Sequence, residues 1–421
     1  MRRLAGETAL YGLPGIVGRF LNWLLVPLYV RVLPGAADFG VYTNLYGWTA
    51  LLLVILTYGM ETGFFRFINK DDVIQPMRVY ATTLWALVGT STLFIILALT
   101  NVRYIADLLG YGEHPDYVAL LILVVALDAI SAIPFAYLRY RRKALRFALL
   151  RTLSIALNIV LNLIFFLLLP SPGYGVGYIF LANLITTLVT LLLLLPQILP
   201  ACRYPLDLKL LRRMLAYTVP ILFLGIAGIF NQAADKILFP MLFADKAQAA
   251  EQLGIYGACF KIAAVMVMFT QAFRYAYEPL IFACRTTVPT PVSTTGDTSS
   301  GSTTNRTTAV PTGGAAVDAM KYFIYAALFL FLFVTLYIDL WKHLITPAYY
   351  SGLRIIPIVL LGEILFGIYF NLSFWYKLTD RTYWGAIISA IGCTATVAII
   401  ILFAPKYGFI ACAWATPVSN G

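Results

Sequence analysis

The sequence predicts an all-α membrane protein with about twelve transmembrane helices in two six-helix lobes around a central cavity. Three observations predict this fold: the composition, the length of the apolar segments and the placement of the basic residues. Of the 421 residues, 61% are hydrophobic and 12% are charged, and the mean hydropathy is +0.84. Soluble proteins contain about 25% charged residues. The composition therefore excludes a water-soluble protein.

The apolar segments give the number of helices. A helix needs roughly 20 apolar residues to cross the hydrocarbon core of a bilayer. The last candidate segment is shorter than the others, which predicts an incomplete final helix. The candidate segments lie near residues 8–30, 40–65, 79–100, 117–138, 152–169, 175–196, 214–243, 254–284, 322–338, 355–376, 383–404 and 407–421.

The basic residues give the orientation of these helices. Most of the 30 Lys and Arg residues fall in alternate loops when the N-terminus is placed in the cytoplasm. Cytoplasmic loops collect Lys and Arg, so this bias predicts a cytoplasmic N-terminus. The densest group runs from Arg139 to Lys143, and Arg151 is assigned to the same loop. The net charge of +11 is therefore an orientation signal that also suits anionic lipid, and no nucleic acid partner is expected.

Two parts of the sequence share an early Pro, a Gly-aliphatic-Tyr triplet and a late Glu at similar spacing. Parallel repeats of six helices are typical of transporters that move two lobes around a central site. The shared positions are Pro14, Gly40 and Glu61 in the first part, and Pro220, Gly254 and Glu278 in the second. The predicted units are an N-terminal lobe over 1–200, helices 7 and 8 over 201–284, a tether over 285–317 and the rest of the C-terminal lobe over 318–421.

The predicted tether differs in composition from everything around it. It is rich in Thr, Ser, Gly and Pro, and such a segment cannot bury enough apolar surface to form a core. The charge bias places it in the cytoplasm. We expect a flexible cytoplasmic connection after helix 8.

Ionisable residues inside the apolar segments are the candidate functional residues. Each costs about 2.5 to 3.5 kcal/mol at a lipid-facing helix centre, so most should face a polar cavity between the lobes. Arg19, Asp128 and Glu363 lie near the middle of their segments, which favours a functional role. For the others, an ion pair such as Arg274 with Glu278 or a position near a helix end remains open. These others are Glu61, Asp235, Lys236, Lys261, Arg274 and Glu278, with Arg66 near the end of the second segment.

Catalytic and metal-binding patterns are absent from the sequence. The Gly173 to Gly177 run lacks the strand-turn-helix context of a phosphate-binding loop. His114 and His343 are isolated, and the five cysteines show no CxxC spacing, so neither a zinc site nor a disulfide framework is supported. We therefore expect no enzyme activity, no metal and no cofactor.

Several motifs resemble one known family. They are Tyr11-Gly12-Leu13-Pro14, Arg19-Phe20-Leu21-Asn22, Leu25-Val26-Pro27-Leu28-Tyr29, Tyr58-Gly59-Met60-Glu61-Thr62 and Gln271-Ala272-Phe273-Arg274-Tyr275-Ala276-Tyr277-Glu278-Pro279. They are similar to polysaccharide biosynthesis flippases of the multidrug/oligosaccharidyl-lipid/polysaccharide exporter superfamily, and the similarity runs to about Ala415. The resemblance implies a bacterial inner-membrane flippase. Such a protein moves undecaprenyl-diphosphate-linked oligosaccharide outward by alternating access, for surface polysaccharides such as lipopolysaccharide.

The resemblance gives the ionisable residues expected roles. Arginine suits bidentate contact with phosphate, so Arg19, Arg66 and Arg274, with Lys261, would bind the diphosphate. The expected partners are the lipid-linked oligosaccharide, membrane lipids, and a glycan polymerase or glycosyltransferases. Two alternatives stay open: a cation-coupled multidrug exporter, and a membrane scaffold for glycan-synthesis enzymes. The residues expected to balance charge or to bind a coupling proton or sodium ion are Glu61, Asp128, Asp235, Lys236, Glu278 and Glu363.

Overall fold

The structure, a computed structural model, describes residues 14–70, 75–168, 174–285, 313–373 and 383–420. Every regular element in these ranges is helical, which confirms the all-α fold. Eleven helices are long and apolar enough to cross a membrane, and the helix that follows them, α12, has 12 residues. The helices are α1 (Pro14–Val32), α2 (Ala36–Asn69), α3 (Pro76–Thr100), α4 (Pro115–Tyr140), α5 (Ala144–Leu168), α6 (Gly177–Arg203), α7 (Leu208–Met241), α8 (Lys246–Arg285), α9 (Gly313–Leu336), α10 (Pro347–Leu372), α11 (Tyr383–Tyr407) and α12 (Phe409–Asn420).

Helix packing follows the same plan in the two halves of the chain. In the first half, α4 packs against α2, α3 and α6, and α5 packs against α6. In the second half, α10 packs against α8, α9 and α12, and α11 packs against α12. Helices α2 to α6 of the first half thus have their counterparts six helices later. The two halves form the two lobes of the fold.

Helices α2 and α8 join the lobes at a close crossing. A Cβ atom built on Gly40 would lie 1.8 Å from the carbonyl oxygen of Ala250, and one built on Gly254 would lie 1.7 Å from the carbonyl oxygen of Ala36. Only glycine permits this approach of two backbones. The crossing lies near the first turns of both helices, away from the basic loops at their other ends. The lobes are therefore in tight contact at the end opposite the basic loops.

Helix α2 is broken at Tyr58 and Gly59. Both residues have positive φ angles, 32° and 69°, and the helix resumes at Met60. The second part of α2 packs on α3, α4 and α7, whereas the first part packs on α8. The break therefore directs the basic end of α2 away from α8.

Gly59→Ala should lower the thermal stability of the purified protein. An L-residue in the left-handed region costs roughly 1–2 kcal/mol, and the new Cβ would approach the Thr218 carbonyl oxygen at 3.3 Å. We expect the Tm in detergent to fall by about 1–4 °C. Gly89→Ala is the matched control, because a Cβ on Gly89 meets no atom within 4 Å and alanine favours the helix. Equal Tm values for both variants would contradict the role of the break.

The predicted tether is only partly tested by the structure. Helix α8 ends at Arg285 and α9 begins at Gly313, so residues 313–317, predicted as tether, are helical. The cause is the apolar run that follows, which extends its helix backwards through Gly313-Gly314-Ala315-Ala316. Residues 286–312 lie outside the described residues, and the predicted flexibility there stays a prediction.

Candidate functional site

The lobes enclose three adjacent compartments that share lining residues. The first, the arginine compartment, has a volume of about 360 Å³ and is lined by Arg19 and Lys261. The second, the middle compartment, has about 220 Å³ and shares Tyr42 and Lys261 with the first. The third, the carboxylate compartment, has about 210 Å³ and shares Lys236 and Phe260 with the second. The first two lie at the boundary between the lobes, whereas the third is lined only by residues of α7, α8, α10, α11 and α12 and lies inside the C-terminal lobe.

The arginine compartment is electropositive. Arg19 enters it from α1 and Lys261 from α8. The two helices are joined here, because the Trp23 indole Nε1 donates a hydrogen bond of 2.6 Å to the Lys261 carbonyl oxygen. Among the described residues that line this compartment there is no carboxylate. Two cations with no carboxylate among the described lining residues favour an anionic ligand.

An amide ladder forms one wall of the arginine compartment. The Tyr29 hydroxyl donates to Asn162 Oδ1 at 2.9 Å, and Asn162 Nδ2 donates to the Asn158 carbonyl oxygen at 2.7 Å. Asn158 Nδ2 donates to Asn183 Oδ1 at 2.6 Å, and Asn183 Nδ2 donates to the Tyr46 hydroxyl. The ladder offers a hydrogen-bonding wall that suits a hydroxyl-rich ligand. This ladder was not predicted from the sequence, although two Asn four residues apart in an apolar segment lie on one helix face.

The carboxylate compartment brings three of the predicted charge-balancing residues together. Asp235 and Lys236 of α7 form an ion pair, with Lys236 Nζ 3.0 Å from Asp235 Oδ2. The Tyr256 hydroxyl of α8 donates to the same oxygen at 2.5 Å. Glu363 of α10 lines the compartment and is 9% exposed. Two carboxylates and one ammonium therefore share one space.

A separate cavity of about 340 Å³ lies inside the N-terminal lobe and contains Glu61 and Asp128. Arg139 of α4 pairs with Glu61, and the Thr187 hydroxyl donates to Asp128 Oδ1 at 3.2 Å. Arg151 also lines this cavity, and its assignment to a loop is wrong. Helix α5 begins at Ala144, so Arg151 lies two turns inside it. Neither Glu61 nor Asp128 shares a compartment with Arg19.

Three predicted site residues do not line these four cavities. Arg66 stacks on the Tyr217 ring at 3.8 Å, and the Arg274 guanidinium lies 4.5 Å from the centre of the Phe370 ring. Glu278 belongs to α8, but its side chain lies outside the described residues, so the predicted pair with Arg274 stays a prediction. The structure thus groups Arg19 with Lys261, and Asp235 with Lys236 and Glu363.

The helices and the polar cavity between the lobes define a multi-pass membrane protein built like a transporter. The family model described as polysaccharide biosynthesis protein matches residues 30–282, more than half of the chain. The chain belongs to this polysaccharide biosynthesis protein family. No curated protein matches the chain.

Solved structures of three transporters resemble the whole chain. An inward-facing multidrug resistance MATE family transporter of the MOP superfamily aligns with a TM-score of 0.69 at 15% identity, covering 98% of this chain and 94% of the other. The lipid II flippase MurJ in an inward closed conformation aligns with a TM-score of 0.68 at 14% identity, covering 98% and 85%. The MATE multidrug transporter DinF-BH in complex with R6G aligns with a TM-score of 0.66 at 14% identity, covering 99% and 92%. The chain therefore has the MOP-superfamily fold.

Proposed function

We propose that the protein moves a lipid-linked oligosaccharide, carried on undecaprenyl diphosphate, across the bacterial inner membrane by alternating access. Its N-terminus lies in the cytoplasm, and the transported glycan supplies a surface polysaccharide such as lipopolysaccharide. The family of the chain supports a role in polysaccharide biosynthesis. A glycan polymerase and glycosyltransferases are the partners that this role requires.

The observation that carries the proposal is the electropositive arginine compartment. A diphosphate cannot enter hydrocarbon with its charge, whereas its polyprenyl tail can remain in lipid. Arg19 and Lys261 face a compartment of about 360 Å³ with no carboxylate among its described lining residues. These two cations can bind the diphosphate, and the amide ladder can bind sugar hydroxyls. The protein needs to shelter only the polar head group.

The closed crossing of α2 and α8 fits the first half of such a cycle. The lobes touch at Gly40 and Gly254, while the basic end of α2 turns away from α8. In the proposed orientation the cavity is closed toward the outside. The head group would enter from the cytoplasmic side, and the lobes would then separate at the crossing.

A cation-coupled multidrug exporter is the second candidate function, because MATE transporters share this fold. Such an exporter would place carboxylates at the centre of binding to a cationic drug. The carboxylate compartment, with Asp235 and Glu363, is the observation that favours it. A scaffold without transport activity has no use for the buried charges of the cavity.

The proposal is tested with purified protein in lipid vesicles that contain a fluorescent undecaprenyl-diphosphate-linked sugar. A glycosidase added outside reports how fast the sugar reaches the outer leaflet. We expect flipping well above the rate in protein-free vesicles. A rate equal to that background overturns the proposed function. Uptake of a cationic dye by the same vesicles, driven by a proton or sodium gradient, would instead establish the drug exporter.

A further inference from the structure

The amide ladder of the arginine compartment joins four helices of the N-terminal lobe. Its members are Tyr29 of α1, Asn158 and Asn162 of α5, Asn183 of α6 and Tyr46 of α2. Asn162 is fully buried, whereas the other four members line the compartment. The ladder therefore has a buried anchor and a face that a ligand can reach.

The direction of the hydrogen bonds along the ladder is fixed at its buried end. Asn162 Nδ2 lies 2.7 Å from the backbone carbonyl oxygen of Asn158, which can only accept. The same Nδ2 lies 3.2 Å from Asn158 Oδ1, so the Asn158 amide turns its Nδ2 toward Asn183. Asn183 Oδ1 accepts that bond at 2.6 Å, and Asn183 Nδ2 then donates to the Tyr46 hydroxyl. One backbone carbonyl thus orients all three side-chain amides.

Hydrogen-bond donors are left over on the face toward the compartment. An Asn amide nitrogen carries two N–H groups, and a tyrosine hydroxyl carries one O–H. Asn158 and Asn183 each use one N–H within the ladder, where the Tyr46 hydroxyl accepts. In the described part of the chain, the second N–H of both amides and the Tyr46 O–H have no acceptor. The Oδ1 atoms of all three amides, by contrast, already accept a hydrogen bond, so the ladder presents mainly donors to a ligand.

The charges of the compartment match a diphosphate that carries a neutral sugar. Each phosphate of a diphosphate diester carries one negative charge, and the described lining holds two cations, Arg19 and Lys261. Lys236, in the adjacent middle compartment, is paired with Asp235. A carboxylate on the sugar would find no further cation among the described lining residues, and a buried charge without a partner is costly. The sugar group that faces the ladder should therefore be a neutral acceptor.

Aromatic rings lie beside these donors. The ring centre of Tyr42 lies 4.7 Å from that of Tyr46, and Tyr42 and Trp23 both line the compartment. An acetamido group combines a carbonyl oxygen, which accepts hydrogen bonds without a proton of its own to place, with a methyl group that gains from apolar burial. A hydroxyl has no methyl group and needs an acceptor as well as donors. Donors beside aromatic rings therefore suit an acetamido group better than a hydroxyl.

We propose that the ladder selects the sugar attached to the diphosphate, and that this sugar carries an acetamido group. Its carbonyl oxygen accepts hydrogen bonds from Asn183 Nδ2 and the Tyr46 hydroxyl, while its methyl group packs on the Tyr42 ring. This inference rests on the proposed function. It makes Asn183 and Tyr46 specificity-determining residues, and it makes Asn162 a positioning residue that acts through Asn158.

The experiment measures the binding of short isoprenyl diphosphates to the detergent-solubilised protein by calorimetry. One ligand carries N-acetylglucosamine, a second carries glucose and a third carries no sugar. The two sugars differ only in one substituent, acetamido against hydroxyl. We expect the wild type to bind the N-acetylglucosamine ligand roughly 2- to 12-fold more tightly than the glucose ligand, as one added hydrogen bond provides.

Substitutions in the ladder should remove this preference. Asn183→Leu and Tyr46→Phe each delete one donor at similar size, so the two sugar ligands should bind with equal affinity. Asn162→Leu leaves the lining of the compartment unchanged but lets the Asn158 amide turn over, so the preference should fall here too. The matched control is Asn101→Leu, the same replacement at an exposed position at the end of α3, which should keep the wild-type preference.

The outcomes separate this inference from the proposed function. If the sugar-free diphosphate does not bind the wild type, the proposed function fails and this inference fails with it. If that ligand binds but the wild type does not prefer the acetamido sugar, the proposed function stands and the inference is overturned. A preference that persists in the ladder variants also overturns it. Tyr46→Phe, which keeps the ring, decides this point if the Asn variants do not fold.

Discussion

Arg19→Ala should bring flipping of the lipid-linked sugar close to zero while the protein still inserts into the membrane. The Arg19 guanidinium lies in a compartment with no carboxylate in the described part of its lining, so its charge is available to a ligand. A hydrogen bond to a charged group contributes about 1.5–3 kcal/mol, and its loss weakens binding roughly 10- to 150-fold. The initial flipping rate in vesicles and the amount of surface glycan in cells measure the effect.

Two further variants separate charge from geometry. Arg19→Lys keeps the charge and loses the planar fork that binds phosphate at two points, so we expect an intermediate rate. Arg103→Ala removes the same charge from the short helix Val102–Leu109, at an exposed position outside the cavity, and should flip at the wild-type rate. If Arg19→Ala flips as fast as Arg103→Ala, Arg19 does not bind the substrate.

The sequence predicted the helices because lipid leaves a strong local signal. An apolar stretch must be about 20 residues long to span the bilayer, and this requirement needs no knowledge of neighbouring helices. The ends were less predictable. Helix α8 begins at Lys246, eight residues before the predicted segment, because its first turns are polar and stand beyond the apolar run. Arg151 was assigned to a loop because the first two turns of α5 also lie before the predicted apolar segment.

The grouping of the site residues could be predicted only in part. Arg19 and Lys261 were both expected at the substrate, and both line the arginine compartment. Glu61 lies five residues from Arg66 in sequence, yet it pairs with Arg139, because the break at Tyr58 and Gly59 sets its direction. This ion pair depends on the packing of α2 against α4, and the spacing of residues along one helix does not predict that packing. The roles of these residues remain predictions.

Neutral polar residues were missed for a different reason. Asn158, Asn162 and Asn183 carry no charge, so they lower the hydropathy of their segments only slightly and do not interrupt them. Once the helices pack, their amides find one another and two tyrosines, as a buried polar group must. The spacing of Asn158 and Asn162, four residues apart inside an apolar segment, is the sequence signal that indicates the first two.

Gly254→Ala should prevent the closed arrangement of the lobes and slow transport. The new Cβ would lie 1.7 Å from the Ala36 carbonyl oxygen, and Cβ atoms are essentially never found within 3.0 Å of another heavy atom. The two helices must therefore move apart by more than an ångström. Overpacking of this kind costs about 1–3 kcal/mol, which lowers the population of the closed state roughly 5- to 150-fold.

Two measurements test this prediction: the flipping rate and the accessibility of a residue beside the crossing. The flipping rate in vesicles should fall at least several-fold, because alternating access requires both states. Thr43, which is buried and lies against Gly257 beside the crossing, serves as the reporter. In a background without the native cysteines, Thr43→Cys should react faster with a membrane-impermeant maleimide, added from outside, when Gly254→Ala is also present.

The matched control for this substitution is Gly89→Ala in α3. It adds the same methyl group to a helix, at a position where a Cβ meets no atom within 4 Å. Any effect of helix propensity is common to both variants, so a difference between them reports the crossing alone. Gly40→Ala, which approaches the Ala250 carbonyl oxygen from the partner helix at 1.8 Å, should reproduce the effect of Gly254→Ala. If both variants transport like Gly89→Ala, the lobes do not need to close at this crossing, and the cycle must use another contact.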